Sequence, residues 1–263
     1  MTPVIAVAGK GGSGKTTLAA LLVRCLLDRG CKPVLAVDAD PNANLGEALG
    51  VDVAVTLGQT VEDFQEQRIA IPPGMTKEAL VEMRFASVIE ERKGFDLLTM
   101  GRGEGPGCYC SVNNLLRALV EKLTANYRVA VIDNEAGLEH LSRRTSRHID
   151  VLLMVSDCAV RGLRAALGVS ALVDDLGLDV AHRLLVIGRV PASGPPPHEQ
   201  VSRLVEAAGA TGLELAGFVP HDEALVRADL EQHGVLALEP TIPALDAAGK
   251  ILDKVLEKTG PCW

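Results

Sequence analysis

The sequence is poor in aromatic residues and has no long apolar run. Phe, Trp and Tyr make up 3% of its 263 residues, so a folded core must be built from Ala, Val, Leu and Ile. The longest apolar runs, such as VLLMV, are far shorter than the roughly 20 residues that a membrane-spanning helix needs. The opening TPVIAVAGKGG lacks the basic start of a secretory signal. These absences predict a cytoplasmic protein that does not span a membrane.

Basic residues are also in deficit. Lys and Arg number 26 against 34 Asp and Glu, which gives a formal net charge of −8. This balance argues against nucleic acid or an anionic membrane surface as the main partner. The six cysteines are expected to be thiols in a reducing cytoplasm. Two of them, Cys25 and Cys158, lie in or beside apolar patterns and are predicted to be core residues.

Short apolar runs alternate with amphipathic segments along the whole chain. The candidate strands are Pro3–Ala8, Pro33–Val37, Asp96–Thr99, Arg128–Ile132, Asp150–Val155, Arg183–Ile187 and Leu213–Val219. The candidate helices are Lys15–Arg29, Val112–Ala125, Val160–Leu176, His198–Ala208, Ala224–Gln232 and Ile242–Lys258. This alternation predicts an α/β fold, a doubly wound and mostly parallel sheet flanked by helices, in one domain over residues 1–263. The irregular segment Leu49–Arg92 is expected to add short helices at the sheet edge.

A phosphate-binding loop follows the first candidate strand. Gly9 to Thr16 fits the pattern G-x-x-x-x-G-K-[ST] between a strand and an amphipathic helix. Glycines let the backbone turn its N–H groups inward, and the helix N-terminus adds positive potential for phosphates. The candidate nucleotide-binding residues are Gly11, Gly12, Ser13, Gly14, Lys15, Thr16 and Thr17. Lys15 is placed to reach the β- and γ-phosphates, and the Thr16 hydroxyl to bind Mg²⁺.

The string GKGGSGKTT carries a second lysine, Lys10, directly after the first glycine. It resembles the deviant P-loop family, which includes partition and septum-site ATPases, the nitrogenase iron protein and metal-insertion ATPases. The resemblance implies ATP hydrolysis by a homodimer in which Lys10 reaches the partner's phosphates and acts in catalysis with Lys15. The segment LAVDADPN resembles the family's D-x-D-P, which implies that Asp40 orients the attacking water and that Asp38 lies near magnesium.

Three later segments carry further family resemblances. The strand RVAVID ends in Asp133, the expected water-mediated magnesium contact, and Gly137 resembles the switch glycine that senses the γ-phosphate. The segment GFVPHD resembles the one that lines the adenine pocket, which would place Pro220 and Asp222 there. Relatives often have Asn-Arg where this chain has Gly188-Arg189, so the usual asparagine contact to the base is absent or supplied from elsewhere.

The segment GPGCYCSVNNLLR places Cys108 and Cys110 in a glycine-rich turn before a candidate helix. Such a close pair is poorly placed for a mutual disulfide but can offer two thiolates to one soft metal ion. Two copies on a two-fold axis would supply four sulfurs, which suits Zn²⁺ and Ni²⁺ alike. Two structural cysteines in a tight turn are the alternative.

Together with VIDNEAGLEHLSRR, this segment resembles the nickel-insertion ATPases of carbon monoxide dehydrogenase maturation, the CooC family. The resemblance implies a homodimer that uses ATP and Mg²⁺, returns ADP, and holds Ni²⁺ between Cys108 and Cys110 of both subunits. The implied client is carbon monoxide dehydrogenase or a coupled acetyl-CoA synthase. Two alternatives are a partition or septum-type ATPase and an iron–sulfur reductase like the nitrogenase iron protein.

Overall fold

The computed structural model describes residues 2–65, 72–102, 120–135, 148–191, 199, 201, 203 and 213–261. Cys108, Cys110 and Gly137 lie outside these residues, so the predictions about them are not tested by the structure. Most of the candidate helices Val112–Ala125 and His198–Ala208 also lies outside them.

The described residues form one eight-stranded sheet in the order β3-β4-β2-β5-β1-β6-β7-β8. Its strands are β1 (Val4–Gly9), β2 (Val34–Asp38), β3 (Ile89–Arg92), β4 (Phe95–Thr99), β5 (Val129–Asp133), β6 (His148–Ser156), β7 (Asp179–Val190) and β8 (Leu213–Pro220). Strand β3 pairs antiparallel with β4, and every other pair is parallel. The predicted α/β fold with a mostly parallel sheet is therefore confirmed.

Seven helices with both ends described flank this sheet, and described residues 120–124 are helical as well. They are α1 (Lys15–Asp28), α2 (Leu45–Leu49), α3 (Leu57–Gln65), α4 (Lys77–Ser87), α5 (Val160–Asp175), α6 (Glu223–Leu230) and α7 (Pro243–Thr259), with a short 3₁₀ helix at Val235–Ala237. Four predicted helices, those matching α1, α5, α6 and α7, agree with the structure to within two residues at each end. The short helices expected after Leu49 are present as α3 and α4.

Both faces of the sheet are buried, which explains why its strands are apolar at consecutive positions. Ile5 and Val7 of β1 pack in one core cluster with α1 and α7. Val4, Ala6 and Ala8 point to the other face and pack in a second cluster that includes α5. The central strand is thus covered on both sides, and its carboxyl end is held firmly where the phosphate loop begins.

The cysteines differ in their surroundings. Cys25 is buried in the first cluster, as predicted, and Cys158 is half-buried against the second. Cys31 is disulfide-bonded, so the expectation that all six cysteines are thiols is wrong at this position. Burial raises the pKa of the Cys25 thiol to about 11 and also raises that of Cys158, which keeps both protonated. None of the described helices has both the length and the apolar character needed to cross a bilayer.

Candidate nucleotide-binding site

The phosphate-binding loop leaves the carboxyl end of β1 and enters α1 through a left-handed glycine. Gly14 has φ 95° and precedes the first residue of α1, which has no side-chain cap. The first N–H groups of a helix have no partner within the helix, so an uncapped start can donate them to an anion. Gly12 is left-handed as well, with φ 74°. The loop therefore has the backbone form that phosphate binding requires.

Two glycines let this loop lie directly against neighbouring strand ends. A Cβ on Gly9 would lie 2.2 Å from the Val155 carbonyl oxygen of β6. A Cβ on Gly188 at the end of β7 would lie 3.0 Å from the carbonyl oxygen of Ser13. A side chain at position 188 would therefore crowd the phosphate loop, which gives a physical reason for glycine at the site where relatives often have asparagine.

The two lysines of the loop have opposite environments. Lys15 is only 7% exposed, and its ammonium group lies 3.5 Å from the Lys10 carbonyl oxygen. Lys10 has an exposed side chain at the tip of the loop. One lysine is therefore held within its own loop, and the other is free to reach a group beyond it.

Three candidate magnesium-site residues come together at the carboxyl ends of β1, β2 and β5. The Thr16 hydroxyl donates a 2.6 Å hydrogen bond to Asp133 Oδ2, across 117 residues of sequence. Asp38 and Asp133 are register partners in neighbouring parallel strands, and both are fully buried. The topology therefore gathers a hydroxyl and two carboxylates beside the phosphate loop.

Burial makes these carboxylates unusually basic. Desolvation raises the pKa of Asp133 to about 7; the Thr16 hydrogen bond opposes this and the charge of Asp38 adds to it. Desolvation likewise raises the pKa of Asp38 to about 6, against hydrogen bonds from the N–H groups of Asp40 and Leu45. A nearby cation favours the ionised form of such groups. The pair is therefore suited to a site that holds positive charge.

The buried oxygens fit Mg²⁺. Asp133 Oδ1 is buried with no hydrogen-bond partner among the described residues, and the Thr16 hydroxyl is adjacent. Mg²⁺ prefers oxygen ligands and binds through one or two protein groups together with substrate phosphates and waters. When bound, it would neutralise charge on the phosphate oxygens. Thr16 and Asp133 are the residues placed to hold it, directly or through water.

The segment after β2 is a tight loop organised by its own carboxylates. Asp38 accepts the N–H of Asp40 at 3.1 Å and the N–H of Leu45, the first residue of α2, at 2.7 Å. Asp40 accepts both the backbone and side-chain N–H groups of Asn42, at 2.8 and 2.9 Å. Asp38 thus has a structural role in fixing the loop, and Asp40 is partly exposed on it.

A cavity of about 290 Å³ extends from the phosphate loop towards α6, near the lower end of the range for small-molecule sites. Its lining contains both apolar and polar side chains. The lining residues include Ser13, Gly14, Thr17, Leu18, Leu21, Glu47, Gly188, Arg189, Val219, Pro220, His221, Asp222, Leu225, Asp229, Gln232, His233 and Val235. Ser13, Gly14 and Thr17 connect this cavity to the phosphate loop, which makes it the candidate nucleoside pocket.

Pro220 and Asp222, the residues predicted at the adenine pocket, both line this cavity. Asp222 caps two helices at once: its oxygens accept the N–H of Ala224 in α6 at 2.9 Å and of Ala244 in α7 at 3.0 Å. Each carboxylate oxygen thus accepts one backbone N–H group. Asp222 shapes the pocket by holding two helix starts in place.

Two polar residues near the site were not predicted from the sequence. Asn134 is fully buried after β5, and its amide donates to the carbonyl oxygens of Val7 and Ile132 at 3.0 and 3.3 Å. Arg24 of α1 donates to the carbonyl oxygens of three residues at the 3₁₀ helix, Val235, Leu236 and Leu238. Asn134 could have been predicted, because it is a polar residue directly after the strand sequence VAVID. The contacts of Arg24 could not, because no neighbouring residue in the sequence indicates them.

The described residues contain no group of three or more His, Cys, Asp and Glu side chains arranged to hold a metal ion. The candidate soft-metal ligands, Cys108 and Cys110, are outside those residues.

Comparison with known proteins identifies the family. Residues 4–235 match the model of the CobQ/CobB/MinD/ParA nucleotide-binding domain. An uncharacterised ATP-binding protein of Methanocaldococcus jannaschii is 38% identical over 257 residues, which cover 97% of this chain and 99% of the relative. The carbon monoxide dehydrogenase accessory protein CooC of Rhodospirillum rubrum is 31% identical over 268 residues, covering 98% and 97%. The similarity to CooC thus covers almost the whole chain.

A solved structure agrees in fold. The septum site-determining protein MinD of Pyrococcus horikoshii, determined with Mg-ADP, superposes with a TM-score of 0.71 at 22% identity and covers 100% of this chain and 99% of its own. On the family match and the phosphate-loop geometry, this chain belongs to the CobQ/CobB/MinD/ParA family and is a P-loop ATPase.

Proposed function

We propose that this ATPase is a metallochaperone that pairs into a homodimer, binds Ni²⁺ through Cys108 and Cys110 of each subunit, and couples ATP hydrolysis to nickel insertion. The proposed client is carbon monoxide dehydrogenase or a coupled acetyl-CoA synthase. One observation carries the proposal: a Cys-x-Cys pair in a glycine-rich segment occurs in an ATPase that is similar to a CooC protein along almost its whole length. Zn²⁺ is the other ion that such a sulfur set suits.

The described geometry supports a division of labour in the ATP site. Lys15 and the start of α1 bind the phosphates, while Thr16 and Asp133 hold Mg²⁺. Asp40, on the loop that Asp38 fixes, positions the attacking water. The side chain of Lys10 is exposed, which leaves it accessible to neutralise charge in a partner subunit.

The proposal links metal and nucleotide by mass action. Two thiolates leave a tetrahedral or square-planar site half complete, and a second copy on a two-fold axis supplies the other two. ATP bound across the same axis would stabilise the same dimer. Each ligand should therefore tighten the binding of the other, and hydrolysis should release the metal.

Equilibrium dialysis with Ni²⁺, with and without ATP, tests the proposal. Cys108→Ala with Cys110→Ala should abolish binding of one ion per dimer and leave ATP binding in place. Cys158→Ala is the matched control, because its raised pKa makes this thiol a poor ligand. Unchanged nickel binding in the double variant would place the site elsewhere, and a wild-type protein that stays monomeric with both ligands present would refute the shared site.

A partition or septum-type role is the second candidate, since MinD of Helicobacter pylori is 26% identical over 232 residues. Membrane or DNA attachment would need a free amphipathic helix or a basic surface. The apolar side chains of α7, including Leu245, Ile251 and Leu252, are buried in the core and cannot also enter a bilayer. Co-sedimentation with anionic liposomes or DNA in the presence of ATP would favour this second role over metal delivery.

A further inference from the structure

The turn that ends α6 has an unusual residue at its tightest position. The His233 N–H donates to the Ala228 carbonyl at 2.7 Å, and the Gln232 N–H donates to the Asp229 carbonyl at 3.1 Å. A helix end with these two hydrogen bonds requires a residue in the left-handed conformation at position 232, and that residue is usually glycine. Gln232 takes that conformation here, with φ 55°. A non-glycine residue that is retained in a strained backbone conformation indicates that its side chain has a function.

Gln232 lines the nucleoside pocket with an exposed side chain. Its amide has no hydrogen-bond partner among the described residues and is the only amide side chain on the described lining. Arg189 is the other described lining residue, apart from Gly14, in a left-handed conformation, with φ 54°. Its guanidinium group can only donate hydrogen bonds. Several lining side chains can both donate and accept a hydrogen bond, namely Ser13, Thr17, His221, Gln232 and His233. Among these, Gln232 is the one held in a left-handed conformation.

The segment after Gln232 is anchored on two sides, so the turn is held in place. Gly234 packs against the backbone of Gly50 at the end of α2, so closely that a Cβ would lie 2.0 Å from the Gly50 nitrogen. The three carbonyl contacts of Arg24 fix the 3₁₀ helix that follows, at 2.9–3.2 Å. A fixed turn loses little entropy on binding, which favours specific recognition.

We propose that Gln232 recognises the nucleobase. Its amide oxygen would accept a hydrogen bond from the 6-amino group of a 6-aminopurine, and its amide N–H would donate one to an adjacent ring nitrogen. The amide would thereby take over base recognition at a site where Gly188 offers no side chain. The inference rests on the ATPase activity and not on the nickel cargo, so the result of metal dialysis does not affect it.

The test compares Mg²⁺-dependent binding of ATP with that of purine riboside triphosphate, which lacks the 6-amino group, by calorimetry. Gln232→Ala should reduce the preference for ATP about tenfold, the value of one hydrogen bond of this kind. Glu231→Ala, at the neighbouring position outside the pocket, should keep the wild-type preference. Equal weakening of both ligands in Gln232→Ala, or loss of the preference only in Asp229→Asn, would overturn the proposal.

Gln232→Gly gives a second, independent readout. Glycine adopts the left-handed conformation without strain, so this variant should raise the Tm by about 2 °C while the preference for ATP falls. A higher Tm with the ATP preference unchanged would show that Gln232 is not kept for base recognition, and a lower Tm would refute the strain at this position.

Discussion

Single residues decide how closely the phosphate loop can lie against the sheet. Gly9 ends β1 at a point where the Val155 carbonyl leaves no space for a Cβ, and the neighbouring atom is backbone that cannot rotate away. Gly11, two residues on, has no atom within 4 Å of its Cβ position. Gly9 is therefore required both by the lack of space and by its φ of 151°, whereas Gly11 shows neither crowding nor a positive φ.

Gly9→Ala should lower the free energy of unfolding by about 3 kcal/mol, because the new methyl group forces β1 and β6 apart at the centre of the sheet. Gly11→Ala should leave the free energy of unfolding nearly unchanged. Urea denaturation followed by circular dichroism measures both. A Gly9→Ala protein as stable as Gly11→Ala would contradict the close approach of the loop to Val155.

The residues that could be predicted are those with a fixed spacing in sequence. Lys15 and Thr16 follow their glycines in one short motif, and Asp133 ends an apolar strand, so each has a local signal. Gln232 has none, because its role depends on a left-handed turn where glycine is expected and on a pocket wall formed by distant segments. Arg24 reads as the polar side of α1, and only the fold brings the carbonyls of the 3₁₀ helix to it.

At the scale of elements, buried strands were predictable and the exposed edge was not. The seven predicted strands are all present, because parallel strands covered on both faces are continuous apolar runs. Strand β3 was missed because three of the four residues in its sequence IEER are charged; an antiparallel edge strand does not need both faces buried. The five-residue helix α2 was missed too, because it is too short for a helical period and depends on the bond from Leu45 N–H to Asp38.

At the opposite edge of the sheet, the titratable residue His148 and its neighbour Asp150 link strands β1, β6 and β7. At the start of β6, His148 contacts Asp179 of β7 at 2.8 Å and Asp150 at 3.4 Å. Asp150 in turn accepts the N–H of Val4 in β1 at 2.7 Å. The hydrogen bond to Asp179 and the charges of both carboxylates raise the pKa of His148 above its ordinary value.

This contact should make stability depend on pH. Because the pKa of His148 is higher in the folded state, its stabilising contribution is fully present below the ordinary value of about 6.5 and is lost as the pH rises through the folded pKa. His148→Asn should therefore lower the Tm by about 1–2 °C near pH 6 and by less near pH 9. In a protein that already carries Asp179→Asn, His148→Asn should lower the Tm near pH 6 by less than it does in the wild type. An equal loss of Tm at both pH values for His148→Asn alone would refute the charged contact.

For the whole molecule, strand order determines where the chemistry is. The chain leaves β1 through the phosphate loop, and β5 lies between β1 and β2 in the sheet. The carboxyl ends of these three strands meet at one edge, which brings Thr16, Asp38 and Asp133 together although they are far apart in sequence. Ligands of open α/β sheets bind at this edge. Lys10 is exposed beside this edge, and its side chain has no partner among the described residues of its own subunit.

Mixing two inactive variants tests whether Lys10 acts across a dimer. Lys10→Ala and Lys15→Ala should each lack ATPase activity as homodimers, because every site then misses one of its two lysines. In a mixed dimer, the Lys10→Ala subunit keeps its own Lys15 and receives Lys10 from its partner, which restores one of two sites. With random pairing of equal amounts, half of the dimers are mixed, so activity should recover to about a quarter of the wild-type rate. Phosphate release measures the rate and light scattering verifies the dimers; mixed dimers that remain inactive would exclude action in trans, and full activity of Lys10→Ala alone would remove this lysine from catalysis.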